Sequence, residues 1–265
     1  MGRKKGSIYR KFFNYLTILI FSISISSNEL NVYIDSNQKT FEDIALKIWN
    51  YAELGYLENK SSQALSSELE NNGFKITNGV AGIPTSFIAE YNNGGPIIGI
   101  LGEYDALPGL AQTASPFKEV ALNETNGGHA CGHHLFGAAS AWAAVVIKEW
   151  IVENNIKGTI RFYGTPAEEG GSGKVYLVRE GLFDDVDIVM HWHPDDTNSA
   201  NSRTSNSNKS GKFTFRGISA HAAGAPEQGR SALDGVEAMN HMVNMMREHV
   251  PQESRIHYVI TKGGL

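Results

Sequence analysis

The chain has a single cysteine among its 265 residues. A lone thiol closes no disulfide within its own chain, so Cys131 is left with packing, reactivity or metal coordination. An excess of basic charge is also missing, with 23 Lys and Arg against 28 Asp and Glu for a net charge of −5. Five of the basic residues (Arg3, Lys4, Lys5, Arg10 and Lys11) crowd the N-terminus, and without them 18 face 28, a balance near −10. Nucleic acid and anionic membrane are poor partners for such a surface. The apolar run from Phe12 to Ile25 is interrupted by Asn14, Thr17 and serines. It falls short of the roughly 20 apolar residues that a spanning helix needs. Followed by Ser24-Ile25-Ser26, it predicts a secretory signal over residues 1–27, cleaved near Ser26 or Ser27 and sending the protein to the periplasm or the exterior. An uncleaved N-terminal anchor is the alternative. At 41% hydrophobic and 19% charged, with no internal repeat, the remainder has globular composition.

What is present concentrates in Gly127 to His134, Gly-Gly-His-Ala-Cys-Gly-His-His, which holds the cysteine and three of the nine histidines. Thiolate and imidazole side by side have the chemistry of metal ligands, and flanking glycines let the backbone turn tightly enough to aim them at one point. In an oxidising compartment an exposed free thiol is a liability unless something such as a metal occupies it.

Apolar spacing at Phe41, Ile44, Ala45, Ile48 and Trp49 predicts a helix from Thr40, and a second helix runs from Ser61 to before Gly73. Short continuous apolar runs at 96–101, 159–163 and 187–190 predict buried strands. A long, heavily covered helix from about Leu135 to Glu153 lies between the first two. Strand, helix, strand in this order implies an α/β fold with a largely parallel sheet. The polar run Asn198 to Ser210 reads as a linker, which divides the chain into a first domain over 36–207 and a second over 208–265. The second is expected to carry strands at 212–216 and 255–261 around a helix from about Ser231 to His249. Met239, Met242, Met245 and Met246 share a broad face of that helix, suited to packing or a subunit interface.

Polar clusters follow each predicted strand: Glu103-Tyr104-Asp105, Glu168-Glu169 and His191-Trp192-His193, with His129 to His134 at the start of the long helix. Ligands of open α/β sheets bind at the carboxyl ends of the strands, so four segments deliver acids, imidazoles and a thiolate to one edge. Each residue has a plainer reading. Glu168-Glu169 can be a solvated loop pair, Asp105 can cap a turn or accept a hydrogen bond from a ligand imidazole, and His191 can simply line the sheet. The setting of Glu168-Glu169, between Pro166 and Gly170-Gly171-Ser172-Gly173, favours a rigid loop that points two carboxylates in different directions.

Gly102-Glu103-Tyr104-Asp105-Ala106-Leu107-Pro108, His129-Ala130-Cys131-Gly132-His133, Pro166-Ala167-Glu168-Glu169-Gly170, Trp192-His193-Pro194 and Gly217-Ile218-Ser219-Ala220-His221-Ala222 together resemble the M20 metallopeptidase family. The likeness is to its amidohydrolase branch, which includes aminobenzoyl-glutamate hydrolases, aminoacylases and auxin-conjugate hydrolases, and it runs from residue 40 to the end. It implies a zinc-exopeptidase-like catalytic domain and a smaller α+β lid through which the chain forms a homodimer. It implies two divalent ions, zinc first and manganese or cobalt as substitutes, held by Cys131 as bridging thiolate with His133, Glu169 and His193. Glu168 becomes the general base that takes a proton from the attacking water and passes it to the leaving amine. His221 stabilises the oxyanion, and Asp105 and His129 support the ligands from behind. The implied reaction is hydrolysis of an amide bond in an N-acyl amino acid, an aminobenzoyl-glutamate or a dipeptide.

Two positions depart from the pattern. His134 stands where relatives commonly have Asp or Asn, and the family's last histidine ligand, carried on a return to the catalytic domain, has no counterpart here. The expectation is a truncated chain that holds metal weakly and is inactive by itself. Two other readings remain open: a non-catalytic protein that binds metal or peptide, and a thiol hydrolase with Cys131 as nucleophile assisted by His133 or His129.

Overall fold

A computed structural model describes residues 27–200 and 204–264. The predicted signal segment lies almost wholly outside the described residues. The chain divides into two compact units, Met1–Asp196 and Thr197–Leu265.

In the first unit, helix α1 (Ser27–Tyr51) and helix α2 (Asn59–Asn71) precede strands β1 (Lys75–Asn78), β2 (Phe87–Asn92) and β3 (Ile97–Gly102). Two short strands follow, β4 (Leu107–Pro108) and β5 (Gly127–Gly128), then helix α3 (His133–Glu153) and strand β6 (Thr159–Gly164). The short helices α4 (Glu168–Gly171) and α5 (Gly173–Arg179) lead to β7 (Ile188–Met190). The main sheet has the order β1-β2-β6-β3-β7. Strands β6, β3 and β7 run parallel, as their apolar runs predict, while β1 and β2 add an antiparallel pair, so the sheet is mixed. The α/β class holds.

Successive residues of each strand point to opposite faces, and both faces of the inner strands β2, β6 and β3 are largely covered. Strand β7, expected to be buried, is instead an edge strand whose Ile188, Val189 and Met190 are exposed, because it has a neighbour on one side only and no layer packed over it. Phe87, Ala89, Ile100, Ile160 and Phe162 join Phe41, Ile44, Ile48, Leu65, Leu69, Ala141 and Val145 from the three long helices in the larger core. Their neighbours Leu101 and Tyr163 turn the other way, onto Leu177 of α5, Ile83 and Phe136. Helix α3 is long and apolar enough to cross a membrane by length and composition, and half of it is buried in this core.

The second unit contains one helix of length, α6 (Ala232–Met246), whose first turn is capped where Asp234 N donates to Ser231 Oγ at 3.2 Å. The strands expected at 212–216 and 255–261 are not formed among the described residues. Ile218 and Arg230 make an isolated antiparallel bridge instead. The physical reason is pairing, because an extended segment becomes a strand only through a ladder, and neither segment has one.

Candidate metal centre

Because β3, β6 and β7 are parallel, the segments that leave their carboxyl ends emerge along one edge. Glu103 to Asp105 follow β3, Thr165 to Glu169 follow β6, and His191 to His193 follow β7. Helix α3 starts at His133, two residues earlier than its apolar pattern suggests, which makes the imidazole part of the first helical turn. Close approach here depends on glycine. A side chain on Gly137 would come within 2.5 Å of the Glu103 carbonyl oxygen, and one on Gly102 within 2.6 Å of the Phe162 ring.

His133 is fully buried. Its Nδ1 lies 3.0 Å from Asp105 Oδ1 and 3.1 Å from the Asp105 carbonyl. Both are acceptors, so Nδ1 carries the proton and Nε2 is turned toward the acids. Glu103 Oε2 is 2.9 Å from that nitrogen, and Glu168 Oε2 and Glu169 Oε1 are each 3.9 Å away. Cys131 Sγ and His193 Nε2 are 3.4 Å apart. His193 Nδ1 donates to the Pro194 carbonyl at 2.9 Å, which leaves Nε2 free as an acceptor. The donor atoms of Cys131, His133 and His193 lie within 4.8 Å of one another, as do those of Glu103, His133 and Glu168.

The fit to a cation is visible in what these atoms lack. Glu169 Oε1 is buried with no hydrogen-bond partner, and the buried Glu103 Oε2 and His133 Nε2 have only each other, at 2.9 Å. Buried polar atoms without full partners are rare because each forfeits its hydration, and a carboxylate facing an imidazole beside a second, unpartnered carboxylate calls for a shared positive charge. A proton supplies it in the metal-free chain. Burial pushes the His133 imidazole down, but Asp105 and Glu103 together overcome this and hold it up to about 10. The Cys131 thiol moves the same way: burial, reinforced by Glu169, Glu168 and Glu103, pushes it up to about 12. Metal would displace both protons, and the donor set of thiolate, imidazoles and carboxylates suits a borderline divalent ion.

The loop bearing the two adjacent glutamates has an unusual backbone. Ala167 and Ser172 are left-handed, with φ of 56° each, and Gly170 sits at 94°. A non-glycine residue held there costs of order 1–3 kcal/mol. The kink separates the carboxylates, leaving Glu169 largely covered and Glu168 about half-exposed. Burial, then the nearby Glu103 charge, raises the Glu168 carboxyl above the ordinary carboxylate range.

The structure thus brings together Cys131, His133, Glu168, Glu169 and His193, with Asp105 behind His133. Asp105 Oδ2 also accepts from Glu169 N at 2.8 Å. His129 is a correction. Its Nε2 meets the Ile48 carbonyl at 3.0 Å and it bonds to none of the ligands, so it ties the cluster's segment to α1. His134 stands edge-on against Trp49, 4.8 Å between ring centroids. His191 packs on Phe136. His221 belongs to the second unit, where its exposed ring accepts at Nδ1 from Gly224 N (2.9 Å) and Ala223 N (3.2 Å). That fixes the proton on Nε2 and makes the outer nitrogen a donor.

Two participants escape a reading of the sequence as ligands. Glu103, almost fully buried, aims one oxygen at His133 and forms an ion pair with Lys174 through the other. Burial disfavours its charge, yet His133 and Lys174 outweigh that and lower its pKa. A carboxylate immediately after a buried strand, with a lysine in the Gly-rich segment after Glu169, is the signal that marks the pair.

Residues 99–253 match the peptidase family M20/M25/M40. The chain belongs to this family. It is 44% identical over 232 residues to a subunit of the p-aminobenzoyl-glutamate hydrolase of Escherichia coli (strain K12), covering 87% of this chain and 48% of that protein. It is 28% identical over 244 residues to the Xaa-Arg dipeptidase of Mus musculus, covering 88% and 52%. Among solved structures, a dinuclear metal-binding peptidase of the M20 family from Bacillus subtilis superposes with a TM-score of 0.51 at 28% identity, over 61% of this chain and 45% of that one. The chain spans about half the length of the curated relatives it matches.

Proposed function

We propose that this chain carries the metal-binding and proton-transfer residues of an amidohydrolase that splits the amide bond of an N-acyl amino acid, an aminobenzoyl-glutamate or a dipeptide. One observation carries the proposal: a half-exposed carboxylate with a raised pKa, Glu168, stands 3.9 Å from His133 Nε2 at the rim of a buried cluster of carboxylate and imidazole atoms. Cys131, His133, Glu169 and His193 would hold two divalent ions, and thiolate with imidazole favours zinc over manganese or cobalt. When bound, such ions lower the pKa of a water and polarise a carbonyl. Glu168 takes the proton of the attacking water and returns it to the leaving amine, work suited to a carboxyl whose pKa is raised. The family resemblance would give the oxyanion to His221 through its Nε2–H, in this chain's site or its partner's. The relatives' named substrates, p-aminobenzoyl-glutamate and a dipeptide, support this substrate class.

The thiol-hydrolase reading is disfavoured, since a nucleophilic cysteine needs a lowered pKa and Cys131 is pushed up to about 12. Pairing of two chains through α6, whose Met242, Met245 and Met246 are exposed, and export by the N-terminal segment belong to the same proposal.

Glu168→Gln is the deciding variant. In a zinc-loaded protein that spans the full length of the relatives, turnover of N-acyl amino acids should fall by about 10²–10⁴ while zinc content is unchanged. A protein that only binds would hold its ligand equally well in both forms, and unchanged turnover in the variant would remove Glu168 from the mechanism.

A further inference from the structure

Glu58 is completely buried and no part of the proposed reaction uses it. It occupies the N-cap position of α2, where an acidic side chain ordinarily caps the helix, yet it makes no such bond. Glu53 does that work, accepting from Lys60 N (3.0 Å), Ser61 N (2.8 Å) and Ser61 Oγ (2.8 Å). The Glu58 carboxylate is thereby released to reach across the chain. Its Oε1 accepts from Ala167 N at 2.8 Å, and its Oε2 accepts from Thr85 Oγ1 at 2.9 Å. Thr85 is itself fixed, because its carbonyl accepts from the buried Tyr104 hydroxyl at 2.6 Å.

Ala167 is the left-handed residue immediately before Glu168. On the far side of Glu168, Glu169 N donates to Asp105 Oδ2 at 2.8 Å. Two buried carboxylates therefore pin the backbone on either side of the residue proposed as the base. Nothing in the local sequence favours this conformation, since a positive φ strains alanine and not glycine. The pins supply what the loop lacks.

We infer that Glu58 is a positioning residue: it holds Ala167 left-handed, and through it sets the directions in which Glu168 and Glu169 leave the loop. The roles of those two glutamates rest on the function proposed above; the placement of the loop does not. Glu58→Gln keeps an acceptor for Ala167 N and a polar group for Thr85, whereas Glu58→Leu keeps the volume and removes both bonds. Adding Ala167→Gly to Glu58→Leu lets the loop adopt its conformation unaided.

The test is cobalt(II) titration of the purified protein, followed through thiolate-to-cobalt absorption, beside kcat and KM for N-acyl amino acids in a protein that spans the full length of the relatives. Glu58→Leu should weaken cobalt by about tenfold or more, the size of effect seen when a ligand loses its support. It should lower kcat by a similar factor at nearly constant KM. Glu58→Gln should stay within about threefold of wild type, and the Ala167→Gly double variant should recover most of the loss. Equal cobalt affinity in Glu58→Leu and wild type overturns the inference, as does a double variant with no recovery. Should Glu58→Leu fail to fold, Thr85→Val takes its place, with a weakening of about threefold expected and no change counting against. If wild type binds cobalt but hydrolyses nothing, the amidohydrolase reading fails while the cobalt series still judges Glu58.

Discussion

His133 and His134 are consecutive in the chain and live in opposite electrical surroundings. His133 faces Asp105 and Glu103 and is held protonated up to about 10. His134, beside Trp49, has no carboxylate partner; burial, then the neighbouring His133 charge, pushes it down to about 4. His129 is driven down to about 4 as well, first by burial and then by His134. One short segment thus supplies a cation-demanding site and a neutral packing surface, and residue type alone does not tell them apart. The acids delivered by β3 decide which imidazole is held charged.

The contrast can be broken most severely at Asp105. Asp105→Asn removes the charge behind His133 and weakens the hold on Glu169 N, and zinc affinity measured calorimetrically should fall about 10- to 100-fold; an unchanged affinity would detach His133 from the metal. Lys174→Met leaves Glu103 with a single partner, and chemical denaturation of the metal-free protein should show a loss of about 1–3 kcal/mol.

Acid sharpens the contrast through sign. A histidine depressed to about 4 contributes stability that is complete above its unfolded value near 6.5 and is lost as pH falls toward 4. His133, raised to about 10, contributes stability that is complete below 6.5 and is lost as pH rises toward 10. Melting curves of His134→Phe should therefore lose less between pH 6.5 and 4 than wild type, by about 2 kcal/mol. At pH 7.5 zinc must displace protons from both His133 and Cys131, so titrations in buffers of different ionisation enthalpy should show about two protons released per site and tighter binding at higher pH. The smallest effect is expected for Trp192→Phe, which gives up the 2.9 Å bond from Nε1 to Ser140 Oγ and about 1 kcal/mol in the same denaturation assay.

The parts of the fold that can be read from sequence are those whose burial leaves a local signature. β3 and β6 announce themselves as continuous apolar runs and α3 as a helix apolar on most faces, so the edge that gathers the candidate ligands is predictable; β7 has the same apolar run, yet its residues lie exposed at the sheet's edge. Strand β1 is Lys-Ile-Thr-Asn, mostly exposed, and β2 alternates because its two faces meet different layers. Neither has the continuous run that marks a buried parallel strand, and both escape a reading by apolar runs. Among the candidate ligands, Cys131, His133, Glu169 and His193 stand out by residue type. Glu58, Glu103 and Lys174 do not, since an acid at a helix start or a lysine near glycines is ordinary until a partner distant in sequence is known. In the second unit the pattern around 212–216 and 255–261 suggests strands, but Phe213, Phe215, Val259 and Ile260 lie exposed and unladdered. A pattern names a preference, and pairing decides whether it is realised.

The 3.4 Å meeting of Cys131 and His193 joins positions 62 apart in the chain. At 5–20 residues per second, a ribosome takes roughly 3–12 s to make the stretch between them. For that interval the thiol exists without the imidazole that shares its site, and β7 has not yet been made to dock against β3. The order of synthesis therefore sets a period in which an oxidant or a stray metal can reach Cys131 ahead of the finished shell.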